Sequence, residues 1–248
     1  MKTEWDYTAL ADAYLKRPDY SVDALDQIHS LSGVVPGNRA CDIGAGVAHL
    51  TLHLARWSLR VVAVEPNDAM RHNGAIRTKG MDVAWVEATS HDTKQEAGAF
   101  DLVTFGSSFN VADRTLTMRE TCRILKPGCW FACMWNHRDL TDPIQARIEE
   151  IFHRRIPGYG YGTRREDQTE VIIGSGLFGR VTPIEGSVVH VQKVSDAIEA
   201  WRSHATLQRQ AGEQFGSVVD EVQEFLEGLG VDNIPVPYTT HAWAAQKK

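Results

Sequence analysis

The stretch that most constrains this chain runs from Cys41 to Thr51, Cys-Asp-Ile-Gly-Ala-Gly-Val-Ala-His-Leu-Thr, with Glu65 at the end of the next apolar run. A turn at Pro36-Gly37-Asn38 and a short apolar segment through Ile43 precede it, so Gly44-Ala45-Gly46 falls where a buried strand hands over to a helix. Glycines at that junction let the backbone turn tightly and approach a ligand, and a helix opening at Val47 aims unpaired N–H groups at it. Arg60 to Val64 reads as a second strand that delivers Glu65, whose carboxylate suits two neighbouring ribose hydroxyls. An adenosine-containing cofactor is therefore expected. In a dinucleotide loop, G-x-G-x-x-G, the third glycine would stand where this chain has His49, which makes a nicotinamide cofactor the second choice.

Asp42, Gly44, Gly46 and Ala48 spell D-x-G-x-G-x-A. This resembles motif I of the class I S-adenosylmethionine-dependent methyltransferases, D/E-x-G-x-G-x-G, with alanine for the last glycine. Arg123-Ile124-Leu125-Lys126-Pro127-Gly128 resembles the R-x-L-K-P-G signature of the same class, and Val236 to Trp243 resembles its closing strand. The likeness is best over residues 36–136 and points to the small-molecule branch that includes ubiquinone/menaquinone-type and trans-aconitate-type enzymes. It implies a doubly wound, Rossmann-like α/β fold. The sheet would have seven strands, mostly parallel with an antiparallel last strand, and helices on both faces. It also implies S-adenosylmethionine as methyl donor, S-adenosylhomocysteine as product, and an oxygen, nitrogen or carbon nucleophile on a small molecule as acceptor.

With 248 residues and 43% hydrophobic content the chain can bury one large core, so a single domain is expected. Within it, residues 1–35 read as a helical cap, 36–136 as the cofactor-binding core, and 137–248 as substrate-facing lid, helices and closing strands. A net charge of -6 with dispersed signs argues against a nucleic-acid backbone as partner. No apolar run approaches the ~20 residues of a membrane span, and no signal-peptide pattern is seen, so a cytoplasmic location is expected. Cys41, Cys122, Cys129 and Cys133 form no C-x-x-C pair and read as reduced packing residues. His49 and His53 share a helix face at i, i+4, but without a third ligand no metal is proposed.

Further elements place the candidate site residues. Helices are expected over Trp5 to Leu15 and Ser21 to Leu31, broken at Pro18; the resemblance puts Tyr7, Tyr14 and Arg17 at aromatic and basic positions of a cap over the cofactor. Strands are expected over Asp82 to Glu87, Phe100 to Gly106 and Trp130 to Trp135, with a helix over Arg114 to Lys126 closed by Pro127-Gly128. The cofactor-binding set is Asp42, Gly44, Ala45, Gly46, Glu65, Pro66, Met70, Ala88, Thr89, Gly106 and Tyr14; Met70 reads equally as helix packing. Phe109 and Asn110, in the loop after the fourth strand, face the glycine loop across the topological switch point and join the substrate-side set. Beyond the fifth strand His137 is the candidate general base, weighed against a hydrogen-bonded loop histidine, and Arg138 follows it. Ile156 to Arg165 reads as a mobile, aromatic and basic lid, in which Tyr159 and Tyr161 would cover substrate and Arg164 or Arg165 would pair with a carboxylate or phosphate on it. His204 lies beside a helix over Asp196 to Leu207, and a last strand, Val236 to Trp243, closes the sheet.

Two other functions compete with methyl transfer. A nicotinamide-dependent oxidoreductase would use the same Asp42 to Glu65 frame, and a non-catalytic protein could bind the cofactor without turning anything over.

Overall fold

Short runs of β-branched and small apolar residues become strands β1 (Arg39–Ile43), β2 (Arg60–Val64), β3 (Val83–Val86) and β4 (Phe100–Gly106), all parallel. The computed structural model of the chain describes residues 8–111, 113–202 and 204–248, without the side chains of Ala9, Arg164 and Ala205. Tyr7 and the start of the helix expected from Trp5 lie outside the described residues. Three longer strands complete the sheet: β5 (Leu125–Arg138), β6 (Phe178–Lys193) and β7 (Asn233–Lys247), in the order β3-β2-β1-β4-β5-β7-β6. Strand order reverses between β1 and β4, which opens a crevice at their carboxyl ends.

The helices are α1 (Ala11–Tyr14), α2 (Val22–Ser32), α3 (His49–Arg56), α4 (Asp68–Arg77), α5 (Arg114–Ile124), α6 (Pro143–Arg155), α7 (Thr169–Gly174), α8 (Val194–Arg202), α9 (Ala205–Ala211) and α10 (Phe215–Gly228). Their starts follow side-chain capping. Asp113 accepts from the N–H groups of Thr115 and Leu116, Asn67 from that of Met70, and Asp142 from those of Ile144 and Gln145 with Pro143 next to it. Among the described residues no helix is long and apolar enough to cross a membrane.

Several boundaries differ from those expected. The first helix is a short turn, Thr8–Leu10, followed by the four residues of α1. Helix α5 stops at Ile124, and Leu125 is already extended and paired with Phe100; Pro127 and Gly128 lie in an irregular stretch of β5 before Trp130 pairs with Leu102. β5 also runs on to Arg138, so Asn136, His137 and Arg138 are strand residues rather than a loop. The last strand does not close the sheet at its edge. β7 lies antiparallel between β5 and β6, leaving β6 outermost, and pairs with β6 from Phe178↔Lys247 to Lys193↔Asn233. β5 pairs with β7 only as far as Arg138↔Tyr238, and past that point β6 and β7 continue as a two-stranded ribbon.

That ribbon carries a second core. Val188, Ile234, Val236 and Tyr238 on one of its faces pack with Ile148 and Phe152 of α6, Trp201 of α8 and Val222 of α10. The first core fills the α5 and α7 side of the main sheet around Phe105, Phe131 and Phe178, and the opposite side is closed by Leu25 and Ile28 of α2 against Met134 and Ile184.

Candidate functional site

The glycine loop sits at the switch point and is held from both sides. Gly44 and Ala45 donate to the Val64 carbonyl at 2.8 and 3.1 Å, tying the loop to β2. Ser108, after β4, donates from Oγ to the Ile43 carbonyl at 2.6 Å. Gly44 has φ +67°, and a Cβ there would stand 2.5 Å from the Ser108 Cβ, so this glycine is required by the approach of the neighbouring loop as well as by the turn. At Gly46 a Cβ would meet nothing within 4 Å among the described residues, which leaves open space beside the loop there. Ala48 takes φ +75° as the residue before α3, so the helix begins at His49 rather than Val47. A left-handed alanine costs ~1–2 kcal/mol, which is the physical reason a glycine suits that place.

The two carboxylates of the motif have different surroundings. Glu65, 7% exposed, accepts from the Gly46 N–H at Oε2 and from the Asn67 N–H at Oε1, both at 2.9 Å. Burial pushes its carboxyl up, against the two N–H groups and the Arg71 guanidinium, which donates to the Glu65 carbonyl at 2.9 Å. Each oxygen retains lone pairs, so an edge fixed at the end of β2 beside the open space at Gly46 fits a ribose diol. Asp42 does not face the crevice. It is fully buried and accepts from Thr51 Oγ1 at 2.6 Å and Thr104 Oγ1 at 3.1 Å, tying β1 to α3 and β4. Burial raises its pKa to about 6, with Glu65 adding a smaller repulsion. In this arrangement it braces the glycine loop through the two threonines.

The N-terminal segment is strapped across these loops. His49 donates from Nε2 to the Tyr14 carbonyl at 2.8 Å, and its Nδ1 lies 2.9 Å from Asp19, whose carboxyl it holds below the usual range. Asn136 donates to the Asp19 carbonyl at 3.0 Å and accepts from Thr240, which in turn accepts the Ser21 N–H at 2.8 Å. Tyr14 and Met70 pack in one cluster with Ala11 and Val47, and Arg17 lies over the Tyr14 ring at 3.5 Å. Tyr20 was not legible as a site residue. Its hydroxyl reaches Ser107 Oγ at 3.1 Å and lies 2.8 Å from where a Gly106 Cβ would be, so it roofs the end of β4; burial raises its pKa and keeps it a phenol.

Near the adenine side, Pro66 follows Glu65 directly and Ala88 is fully buried. The Thr89 N–H is already engaged by the Asp92 carbonyl at 3.3 Å.

The substrate-side candidates divide. His137 is half-buried and stacks on His241 at 4.7 Å, with Glu185 2.9 Å from the His241 Nδ1. Arg138 points to the other sheet face and lies over the Trp201 ring at 4.0 Å, while Arg165 donates to the Arg138 carbonyl. Phe109 leaves the crevice altogether: it is fully buried against Phe105 and Phe131, each at 5.4 Å. Asn110 accepts from the Trp135 indole at 3.1 Å, and this tie turns the loop so that Phe109 faces the core. The segment expected to form a lid is packed against the second core. Tyr159 is buried in the second core, and Tyr161 donates to Glu149 with Arg165 stacked on its ring at 4.0 Å. Burial, then Tyr159 and Glu149, raise the Tyr161 pKa, so it too stays a phenol. The Arg164 side chain lies outside the described residues. His204 caps α9 by accepting the Leu207 N–H at Nδ1, 3.1 Å away, and stacks on Trp201; the helix expected across it is two helices.

Comparison with known proteins bears on the core first. Residues 41–133 match the family described as a methyltransferase domain. Over 132 residues the chain is 28% identical to a demethylmenaquinone methyltransferase of Staphylococcus saprophyticus, an overlap of 51% of this chain and 57% of that one. Over 129 residues it is 28% identical to a ubiquinone/menaquinone biosynthesis C-methyltransferase of Idiomarina loihiensis, 49% of this chain and 50% of that one. The chain thus spans about half the length of the curated relatives it matches. Among solved structures, the YcgJ protein of Bacillus subtilis superposes with TM-score 0.58 at 16% identity, over 91% of this chain and 98% of that one. A phosphoethanolamine N-methyltransferase 2 of Haemonchus contortus, solved with phosphomonomethylethanolamine and S-adenosylhomocysteine, superposes with TM-score 0.53 at 18% identity, over 90% of this chain and 52% of that one. At these identities the structural likeness is one of fold.

Proposed function

We propose, since this chain carries a class I S-adenosylmethionine-dependent methyltransferase domain, that the protein is a cytoplasmic enzyme that methylates an oxygen, nitrogen or carbon nucleophile of a small molecule. The observation that carries this reading is the Glu65 carboxylate, clamped by the Gly46 and Asn67 N–H groups beside open space at the switch point. S-adenosylmethionine, when bound, supplies a methyl group on a sulfonium sulfur, open to in-line attack.

The chain's own residues bind, orient and exclude water. Glu65 holds the ribose hydroxyls, the Gly44 to Gly46 backbone lies along the cofactor, and Pro66 and Met70 offer apolar surface to the adenine. The cap from Tyr14 to Tyr20, latched by His49 and Asn136, closes the crevice over Gly106 and keeps water from the reacting atoms. Residues 1–35, 36–136 and 137–248 act as cap, cofactor core and substrate half of one unit. Arg17, on the cap over the Tyr14 ring, offers a donor suited to a carboxylate or phosphate on the substrate. His137, at the end of β5, takes the proton from an oxygen or nitrogen acceptor.

Calorimetric titration with S-adenosylmethionine, S-adenosylhomocysteine and NADH tests the reading. Micromolar binding of the first two, about -8 kcal/mol, with no heat from NADH is expected. Glu65→Ala should weaken both by roughly tenfold or more through loss of the ribose hydrogen bonds. Heat from NADH alone would overturn the reading, and unchanged affinity in the variant would remove Glu65 from it.

A further inference from the structure

β6 is the outer edge of the sheet, and its stretch between Glu185 and Lys193 carries none of the devices that usually blunt an edge. From Ser187 to Gln192 there is no acidic residue, lysine, arginine or proline; the strand's one proline, Pro183, comes earlier. The backbone of this stretch faces outward at alternate residues. Val189 and Val191 lie opposite Pro237 and Pro235 of β7, which have no N–H to give. In the same register Val194 donates to the Asp232 carbonyl at 2.9 Å, so even-numbered residues make the ladder to β7. Odd-numbered residues therefore turn N–H and C=O to the open side. The outward Glu185 carbonyl is met there by the Gln27 side chain at 3.3 Å, but among the described residues nothing bonds the backbone of Ser187, Val189 or Val191 from that side.

The side chains in the same place are apolar and uncovered. Val189 is 59% and Val191 66% exposed, whereas Val188 on the opposite face packs into the second core. Exposed valines on a backbone with unmet hydrogen bonds are a template for another strand.

The charge pattern selects the occupant. When two copies of β6 run antiparallel about a twofold axis at Val189, Ser187 faces Val191 and Glu185 faces Lys193 of the other copy, twice by symmetry. Both charged residues are exposed, and no other register of the outward-facing residues brings them together. We propose that the protein forms a homodimer through antiparallel pairing of β6 with β6 of a second copy, centred on Val189. The continuous sheet then has fourteen strands, seven from each copy, and both crevices remain open at the carboxyl ends of their own parallel strands.

Sedimentation velocity on the full chain reads the outcome, with circular dichroism on each variant. The wild-type chain is expected at twice its single-chain mass. Val189→Pro removes an N–H that points away from β7, so it should give a folded monomer. Should that variant lose its dichroism, Val189→Lys, which sets two like charges together on the axis, should give the monomer instead. Glu185→Lys and Lys193→Glu should each weaken association by about tenfold, and the double variant should recover it, since the opposite charges are merely exchanged. A wild-type chain of single mass, a dimer indifferent to both substitutions at Val189, or a double variant that associates no better than the single ones would overturn the proposal.

Discussion

Replacing Asp42 by Asn should stabilise the protein at neutral pH and much less in acid. The Asp42 carboxylate is fully buried, with two threonine hydroxyls and no cation as hydrogen-bond partners. Burial lifts its pKa from 3.8 to about 6. A carboxyl whose folded pKa is raised binds its proton more tightly in the folded state, so the resulting stability is fully present below the unfolded value and is lost as pH rises through the folded one. Across that window, at ~1.4 kcal/mol per pH unit, the wild-type protein loses about 3 kcal/mol through this group. Asn keeps the shape, accepts from one threonine through its carbonyl and donates to the other, whose hydroxyl can rotate to receive the N–H. Urea unfolding of both proteins between about pH 4 and about pH 8 reads the effect, and taking the difference between them cancels every group they share. The advantage of Asp42→Asn should grow by about 2.5 kcal/mol from the acid end to the alkaline end, since the unfolded carboxyl is already partly ionised at about pH 4. A difference that stays flat with pH, or shrinks as pH rises, would refute the account of Asp42 as an uncompensated buried charge.

Gly44→Ala should cost roughly 1–2 kcal/mol for the left-handed backbone, plus about 1–3 kcal/mol for crowding against Ser108. Adding Ser108→Gly should return only the second part, so a pair no more stable than Gly44→Ala alone would show that the 2.5 Å approach is not what excludes a side chain. If His137 removes a proton from the acceptor, His137→Ala should lower kcat by about a hundredfold or more and leave S-adenosylhomocysteine affinity within about twofold. Full turnover in that variant would eliminate the base.

The parts of the molecule that follow from local pattern are legible in the order of residues alone. β2 and β4 fall on the bounds expected from their apolar runs, and Glu65 stands at the end of β2 because a strand of that length must deliver it there. Helix α5 begins at Arg114 as the apolar spacing predicts. The irregular motif position at Ala48 is visible too, although its left-handed backbone emerges only in the folded chain. What cannot be read locally is where side chains point once distant segments meet. Nothing near Phe109 in sequence says that the Trp135–Asn110 hydrogen bond will turn it into the core, nor that Asp42 will meet Thr104. His49 is an ill-fitting residue in a glycine loop until Tyr14 and Asp19 come within reach of its ring. Tyr20 reaches Ser107 across 87 residues of chain, and β7 lies between β5 and β6 through pairings as long-range as any in the molecule. The sequence by itself determined the cofactor loop, its acidic partner and the order of the elements, because those rest on period and propensity over a few residues. Only the tertiary structure decided which faces are buried, which loops are strapped and which edge is left open, because those depend on contacts between segments that carry no local mark of one another.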